Sequence, residues 1–145
     1  MIKRGDNFYE DIVDSVLRRA AITLVEDACA VSDVEMAGGY AVAHDPDPMV
    51  HDSYSVRARI PVIWSVPVWD SVRRMTMDKM IKVHVHTYID MYNGRVIADT
   101  ILMDNRVIWE DSVRNNMTPQ EKAEKFRSAI YHEDMTTDND DCEIA

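Results

Sequence analysis

YSVRARIPVIWSVPV, residues 54 to 68, is the stretch that decides the fold. Every even-numbered position from Tyr54 to Val68 is apolar or aromatic, and most odd-numbered positions are polar or proline. Because strand side chains point to alternate faces, this period of two predicts a long strand with one buried face. Pro61 and Pro67 share a parity, so both lack the backbone N–H on the same side of the strand. That side is predicted to be a sheet edge or a bend.

A second alternating run, Ile81 to Met91, is followed by Asn93-Gly94 and then by a third run. Asn-Gly between alternating runs predicts a two-residue type I′ hairpin turn, because both residues tolerate positive φ. That turn would pair Tyr92 with Arg95 and would set Asp99 opposite Tyr88.

Two further segments flank this hairpin. Asp104-Asn105 predicts another tight turn, which returns residues 106–110 against the preceding strand. Between the first two runs, residues 70–80 interrupt the alternation with polar residues and methionines. We interpret them as a connector with room for one helical turn.

Helical patterns lie near both ends of the chain. Asn7 is a candidate N-cap, and apolar residues then recur at helical spacing as far as Ala28. Gly38-Gly39 is expected to break the chain before a short strand at 40–44. Near the other end, Thr118-Pro119-Gln120-Glu121 combines a capping threonine, proline at the first helical position and glutamate at the third. This pattern predicts a helix start.

These elements predict an α+β domain: an amphipathic N-terminal helix packed on a curved antiparallel sheet of three to five strands, then a C-terminal helix. A helix laid across such a sheet resembles the cystatin-like folds, a likeness of fold that implies no function. The domain is expected to occupy residues 1–132. Residues 133–145 carry six acids and no base, which predicts a mobile acidic tail.

Composition limits the classes of function. The 145 residues carry a net charge of -10, but residues 53–95 hold seven bases and three acids. Cys29 and Cys142 are far apart in sequence and predict free thiols. Neither a targeting segment nor a membrane-spanning apolar run is evident in the sequence, so a cytoplasmic location is expected.

His84 and His86 form the first candidate site. On a strand their imidazoles would share one face, about 7 Å apart, with Asp90 on the same face. Metal centres use His-x-His on a strand in this way, so a metal-dependent enzyme is one hypothesis. A solvated outer face explains the same pattern more simply, and we expect no cofactor.

The basic central segment is the second candidate. Its bases alternate with aromatic residues, as in proteins that bind single-stranded nucleic acid through phosphate contacts and base stacking. The residues for such a site are Arg57, Arg59, Trp69, Arg73, Arg74, Lys82, Tyr88, Tyr92 and Arg95. Residues 1–132 still contain 16 bases against 20 acids. That balance disfavours duplex binding, and the acidic tail would compete for the site.

The favoured hypothesis is a small acidic protein-binding or assembly module without catalytic activity. An unfinished sheet edge and charged extensions suit docking on a basic protein partner or pairing with a second copy. A phage-type inhibitor and a structural subunit of a larger assembly are two versions of it. Nucleic acid and membrane are not expected partners.

Overall fold

The computed structural model describes residues 2–47, 49–52, 54–111 and 116–144, and side chains among them from residue 11 to residue 131. In this part of the chain, two helices and one six-stranded antiparallel sheet form an α+β fold. The sheet is larger than the three to five strands predicted. The elements are α1 (Ile2–Val31), β1 (Ala37–Ala43), β2 (Val50–His51), β3 (Ser55–Asp70), β4 (Met75–Asp90), β5 (Arg95–Met103), β6 (Arg106–Glu110) and α2 (Pro119–Ile144).

The predicted alternation in β3 is confirmed between residues 56 and 66. Val56, Ile60, Val62 and Val66 are at most 2% exposed and face the helices. Tyr54 was expected on the same buried face, and this was wrong, because 62% of it is exposed. It precedes the strand, in a turn where the Asp52 carboxylate accepts hydrogen bonds from the backbone N–H groups of residues 54 and 55. The alternation of strand β3 therefore does not apply to Tyr54.

β3 has β4 on one side and an interrupted edge on the other. The strand order is β1-β3-β4-β5-β6, and β2 also pairs with β3. β1 pairs with residues 62–65 of β3 and β2 with residues 56–57. Pro61 and Pro67 both lie outside these paired stretches, where no partner strand needs their missing N–H groups.

Gly38 and Gly39 were predicted to break the chain before a strand, and this was wrong, because both lie inside β1. Their φ angles of +82° and +84° suit glycine, and the register of β1 shifts beside them. A bulge with two glycines therefore replaces the predicted break, because glycine can bend a strand without ending it.

The predicted connector at 70–80 is wrong, because β4 already begins at Met75. β3 and β4 pair continuously from Ser55–Asp90 to Asp70–Met75, around a turn at residues 71–74. The polar and methionine residues here interrupt the pattern because no other described strand flanks this end of the hairpin. Beyond Val66, which is fully buried, the ribbon lacks the fully buried face that enforces strict alternation.

The turn between β4 and β5 also differs from the prediction. Asp90 pairs with Arg95 across a four-residue loop, and only Gly94 has positive φ, whereas a type I′ turn requires it at Asn93 as well. The Asp90 carboxylate accepts the Tyr92 N–H at 2.9 Å, and the Asp90 carbonyl accepts the Gly94 N–H at 2.7 Å. These two bonds favour the longer loop, and every predicted pair across it is displaced.

The turn at Asp104-Asn105 matches the prediction. The two residues have φ angles of +51° and +63°, and Met103 pairs with Arg106 directly across them. β6 then runs back along β5 over the predicted residues 106–110.

Both helices pack on the face of the sheet that carries the even residues of β3. Leu17 and Val25 of α1 and Phe126 and Ile130 of α2 are fully buried in this core. Burial also raises the pKa of the Cys29 thiol to about 12, which makes it a poor nucleophile. On the side of α1 away from the core, Arg18 and Asp14 form an i, i+4 ion pair at 2.8 Å.

The helix ends were predicted with mixed success. α1 starts at Ile2, five residues before the predicted cap at Asn7. The capping box of α2 is confirmed: the Glu121 carboxylate accepts the Thr118 N–H at 3.0 Å, and the Thr118 hydroxyl accepts the Glu121 N–H at 3.1 Å. The backbone of α2 continues as helix to Ile144. The predicted tail thus extends this helix, and its mobility stays a prediction.

Candidate functional site

A groove crosses the sheet face opposite the two helices. Its volume is about 620 Å³, within the usual range of small-molecule sites. Loop and strand residues from four segments of the chain meet there. The lining residues are Asp47, Val50, Arg57, Ala58, Arg59, His86, Thr87, Tyr88, Ile97 and Asp99.

Arg59 is the central cation of the groove. Its Nη2 donates a hydrogen bond to Asn105 Oδ1 at 3.4 Å, and its Nε lies 4.0 Å from Asp47 Oδ2. That separation is too long for a hydrogen bond, and the buried Nε has no hydrogen-bond partner among the described residues. Arg59 therefore has a donor that its protein neighbours leave unused.

The loop at 44–47 forms one wall of the groove. The His44 N–H donates to the Pro61 carbonyl at 2.8 Å, and the Asp47 N–H donates to the Arg59 carbonyl at 2.9 Å. The loop is therefore tied to β3 where β1 has ended and β2 has not begun. This attachment brings the Asp47 carboxylate over the sheet.

The opposite wall is formed by a β-bulge in β5. Thr87 pairs with Ala98 and His86 with Thr100, so Asp99 is the extra residue between these pairs. The prediction that Asp99 lies opposite Tyr88 was wrong, because Ile97 occupies that position. The Asp99 carboxylate accepts the Thr100 hydroxyl at 3.0 Å. A bulge re-aims side chains, and here Asp99 joins the groove lining.

His84 and His86 share the outer face of β4, as predicted. Burial lowers the pKa of both imidazoles, and the charge of Arg59 lowers it further. The neutral forms therefore dominate at neutral pH, and each imidazole then has one N–H to donate.

The third predicted metal ligand, Asp90, is the last residue of β4, four residues after His86, and its carboxylate accepts the Tyr92 N–H. Within the described ranges, no group of three or more His, Cys, Asp or Glu side chains lies close enough to hold a metal ion. The His-x-His pair thus has no third ligand in this part of the chain.

The structure separates the predicted nucleic-acid-binding residues into three places. Arg57, Arg59, Lys82, Tyr88 and Arg95 lie on the outer face of the sheet, where Arg57 pairs with Tyr88 and Arg95 with Asp90. Trp69 has the same strand parity but lies some 12 residues, or about 40 Å, along β3 from Arg57. Arg73 and Arg74 lie in the β3–β4 turn, and Tyr92 in the β4–β5 turn packs against Tyr54 with ring centroids 5.7 Å apart.

Residues 66–79 form a second surface, which we call the arm. Among the described strands, β3 and β4 pair here only with each other, since β1 reaches residue 65 of β3 and β5 pairs with residues 84–90 of β4. Three large apolar side chains of the arm are exposed: Trp69 by 62%, Val72 by 90% and Met75 by 51%. The Lys79 ammonium donates to the Ile130 carbonyl of α2 at 3.4 Å, which anchors the base of the arm.

Six of the ten lining residues were not predicted as site residues: Asp47, Val50, Ala58, Thr87, Ile97 and Asp99. Asn105, which accepts a hydrogen bond from Arg59, was not predicted as one either. Nothing in the sequence predicts that the loop at 44–47 is hydrogen-bonded to β3. The bulge at Asp99 has no sequence signal, since no glycine or proline marks it. Asn105 was predicted only as a turn residue.

No family model, no curated protein and no solved structure matches this chain. Among the described residues, no helix is long and apolar enough to cross a membrane. The function is therefore argued from the two surfaces themselves.

Proposed function

We propose that this protein is an assembly module that docks onto a second copy of itself through the arm. The observation that carries the proposal is the exposure of Trp69, Val72 and Met75 on a ribbon that extends beyond the rest of the sheet. Val66 and Val68 pack against the core, but the arm beyond them is a two-stranded ribbon with exposed apolar side chains. A ribbon of two strands is at best marginally stable by itself in water, so this outer end gains stability from a surface that covers it.

Apolar burial supplies the driving force for docking. Val72 at the tip is 90% exposed, so nearly its whole side chain is available to a partner. Aromatic residues such as Trp69 are enriched at the centres of protein interfaces, where large side chains fill pockets on the partner.

The charge of the arm indicates which kind of partner surface it binds. Within the arm, residues 66–79 carry three bases and two acids, whereas the rest of the chain carries 13 bases and 24 acids. Arg73 and Arg74 lie at the exposed tip, so the arm suits an acidic surface better than the basic partner predicted from net charge. A second copy of this acidic chain offers such a surface.

The contact we propose joins an arm to a different surface of the next copy. Such heterologous contacts close into rings or continue as chains, according to the rotation between copies. This arrangement agrees with the structural-subunit version of the assembly hypothesis.

Light scattering coupled to size-exclusion chromatography tests the proposal. We expect the wild-type chain to exceed the monomer mass of 16.7 kDa at high concentration and to dissociate as salt is raised. The double variant Trp69→Ser with Val72→Ser should be monomeric, and Arg73→Glu with Arg74→Glu should associate more weakly.

Two controls match these variants. Tyr40→Ser removes another exposed aromatic residue, 65% exposed on β1, and should assemble as the wild type does. Arg19→Glu with Lys125→Glu makes the same change of charge on exposed helix positions. A wild-type chain that stays monomeric at about 0.1 mM, where even weak interfaces are populated, would refute self-assembly. Equal loss of assembly in the control variants would remove the arm from it.

A further inference from the structure

The outer-face groove has two chemically different ends. At one end Arg59 pairs in register with His86. At the other, Tyr88 pairs with Ile97 on one side and Arg57 on the other. The first end presents N–H donors, and the second presents a ring and an aliphatic side chain.

We propose that this groove binds a ribonucleotide, with its phosphate on Arg59 and His86 and its base against Tyr88 and Ile97. The site is separate from the arm, and the proposal stands or falls independently of self-assembly.

The phosphate end is supported by the guanidinium of Arg59, whose side chain is 40% exposed. Its Nε is buried beside Asp47, so a phosphate would meet the Nη atoms, and the one hydrogen bond that Nη2 makes to a described residue, to Asn105, is long at 3.4 Å. A planar guanidinium with free donors matches phosphate oxygens in a bidentate arrangement. Arg57 follows two residues along the same face, about 7 Å away, and adds a second positive charge.

Two carboxylates in the groove disfavour an inorganic anion as its ligand. Asp47 and Asp99 line the same groove and would repel an inorganic phosphate or sulfate. They are well suited to accept hydrogen bonds from ribose hydroxyls, as acidic residues do in dinucleotide-binding sites. A phosphate suits the arginines of the groove, neutral hydroxyl donors suit its carboxylates, and a flat ring suits its tyrosine. A ribonucleotide has all of these groups.

The base end is supported by the pairing of Tyr88 with Arg57 and Ile97. Aromatic side chains on an open antiparallel sheet stack nucleobases, and an arginine beside them adds a cation–π contribution. Tyr88 is half-buried, so its position is fixed while part of the ring stays accessible.

A ribonucleotide can reach the groove as a free mononucleotide or as one unit of a single strand. Isothermal titration calorimetry with a ribonucleoside monophosphate, the matching nucleoside, inorganic phosphate and a short oligoribonucleotide separates these sources. We expect the monophosphate to bind at least tenfold more tightly than the nucleoside or phosphate. Equal affinity for monophosphate and oligonucleotide would indicate the free ligand, and an oligonucleotide more than tenfold tighter would indicate the strand.

Variants of groove residues test whether the monophosphate binds in this groove. Arg59→Gln removes a charge-assisted contact and should weaken monophosphate binding at least tenfold, while Arg19→Gln on α1 should not change it. His86→Gln changes an exposed side chain, so it should fold normally and weaken binding severalfold even if Arg59→Gln proves unstable. Absence of monophosphate and oligonucleotide binding at millimolar concentration would overturn the proposal. So would inorganic phosphate binding as tightly as the monophosphate, or affinities unchanged in both groove variants.

Discussion

The two halves of the β3–β4 hairpin have the same pairing but different surroundings. Near the β4–β5 turn, the strands are flanked by β1, β2 and β5 and covered by α1, and the inward side chains are almost fully buried. In the arm, the same two strands continue without flanking strands, and Trp69 and Met75 are exposed. Strand pairing is therefore local to the hairpin, whereas burial depends on the elements stacked against it.

The turns before and after β4 make the comparison sharper: residues 71–74 join β3 to β4, and residues 91–94 join β4 to β5. Each turn has four residues after an aspartate whose carboxylate accepts a backbone N–H two residues on, at 2.9 Å for both Asp70 and Asp90. The last turn residue has positive φ in both, +55° at Arg74 and +71° at Gly94. The arm thus places a residue with a Cβ where the covered end has glycine.

The largest expected effect separates a buried position on the inner face of the covered half from an exposed position on the outer face of the arm. Val62→Asp puts a carboxylate where exposure is 0%, and the cost of several kcal/mol is comparable with the whole stability of a domain. We expect this variant to be unfolded by circular dichroism. Trp69→Asp introduces the same charge in the arm and should melt within a few degrees of wild type, since its site is 62% exposed. Similar melting temperatures for the two variants would contradict the assigned faces of β3.

The next effect tests the glycine turn. Gly94→Val places a β-branched residue at φ +71° and should lower the free energy of unfolding by more than about 1 kcal/mol. No heavy atom lies within 4 Å of an added Cβ, so the loss would come from the backbone conformation rather than from a clash. Chemical denaturation measures it, and Gly94→Asn, which introduces a residue that tolerates positive φ, is the control. An unchanged midpoint for Gly94→Val would show that this loop adopts another conformation.

The opposite substitution in the arm should stabilise the protein. Arg74 holds φ at +55°, so Arg74→Gly relieves the strain of a left-handed residue and is expected to gain a few tenths of a kcal/mol, up to about 1. Arg73→Gly, in the same turn but without positive φ, should lose stability instead. If both variants changed the denaturation midpoint in the same direction, the left-handed conformation at Arg74 would not be the cause.

The smallest expected effect is a pH dependence that belongs to the covered half, where His84 and His86 lie. Burial lowers the pKa of both imidazoles below the ordinary 6.5. The unfolded chain therefore binds protons first as pH falls, so stability is complete above pH 6.5 and is lost as pH falls towards the folded pKa values.

Thermal melts between pH 7.5 and 5 measure this loss. The double variant His84→Gln with His86→Gln should have a flatter profile than the wild type over that range. A wild-type profile no steeper than that of the double variant would show that these imidazoles do not contribute.

The sequence by itself determined the elements whose signals are local. The alternation of residues 56–66, the tight turn at Asp104-Asn105 and the capping box of Thr118 with Glu121 are all present as predicted. Each depends on φ preferences, strand parity or hydrogen bonds between residues close in sequence, which a short segment fixes without help from the rest of the chain.

The tertiary structure decided what depends on distant partners. Met75 to Met80 form a strand because β3 pairs with them, although their own pattern is irregular. The loop at Asn93-Gly94 has four residues because the Asp90 side chain and carbonyl bond its N–H groups. The groove exists because the loop carrying Asp47 is bonded to β3 and a bulge redirects Asp99 in β5. No local pattern specifies these contacts, because the partners are separated in sequence and meet only when the sheet has formed.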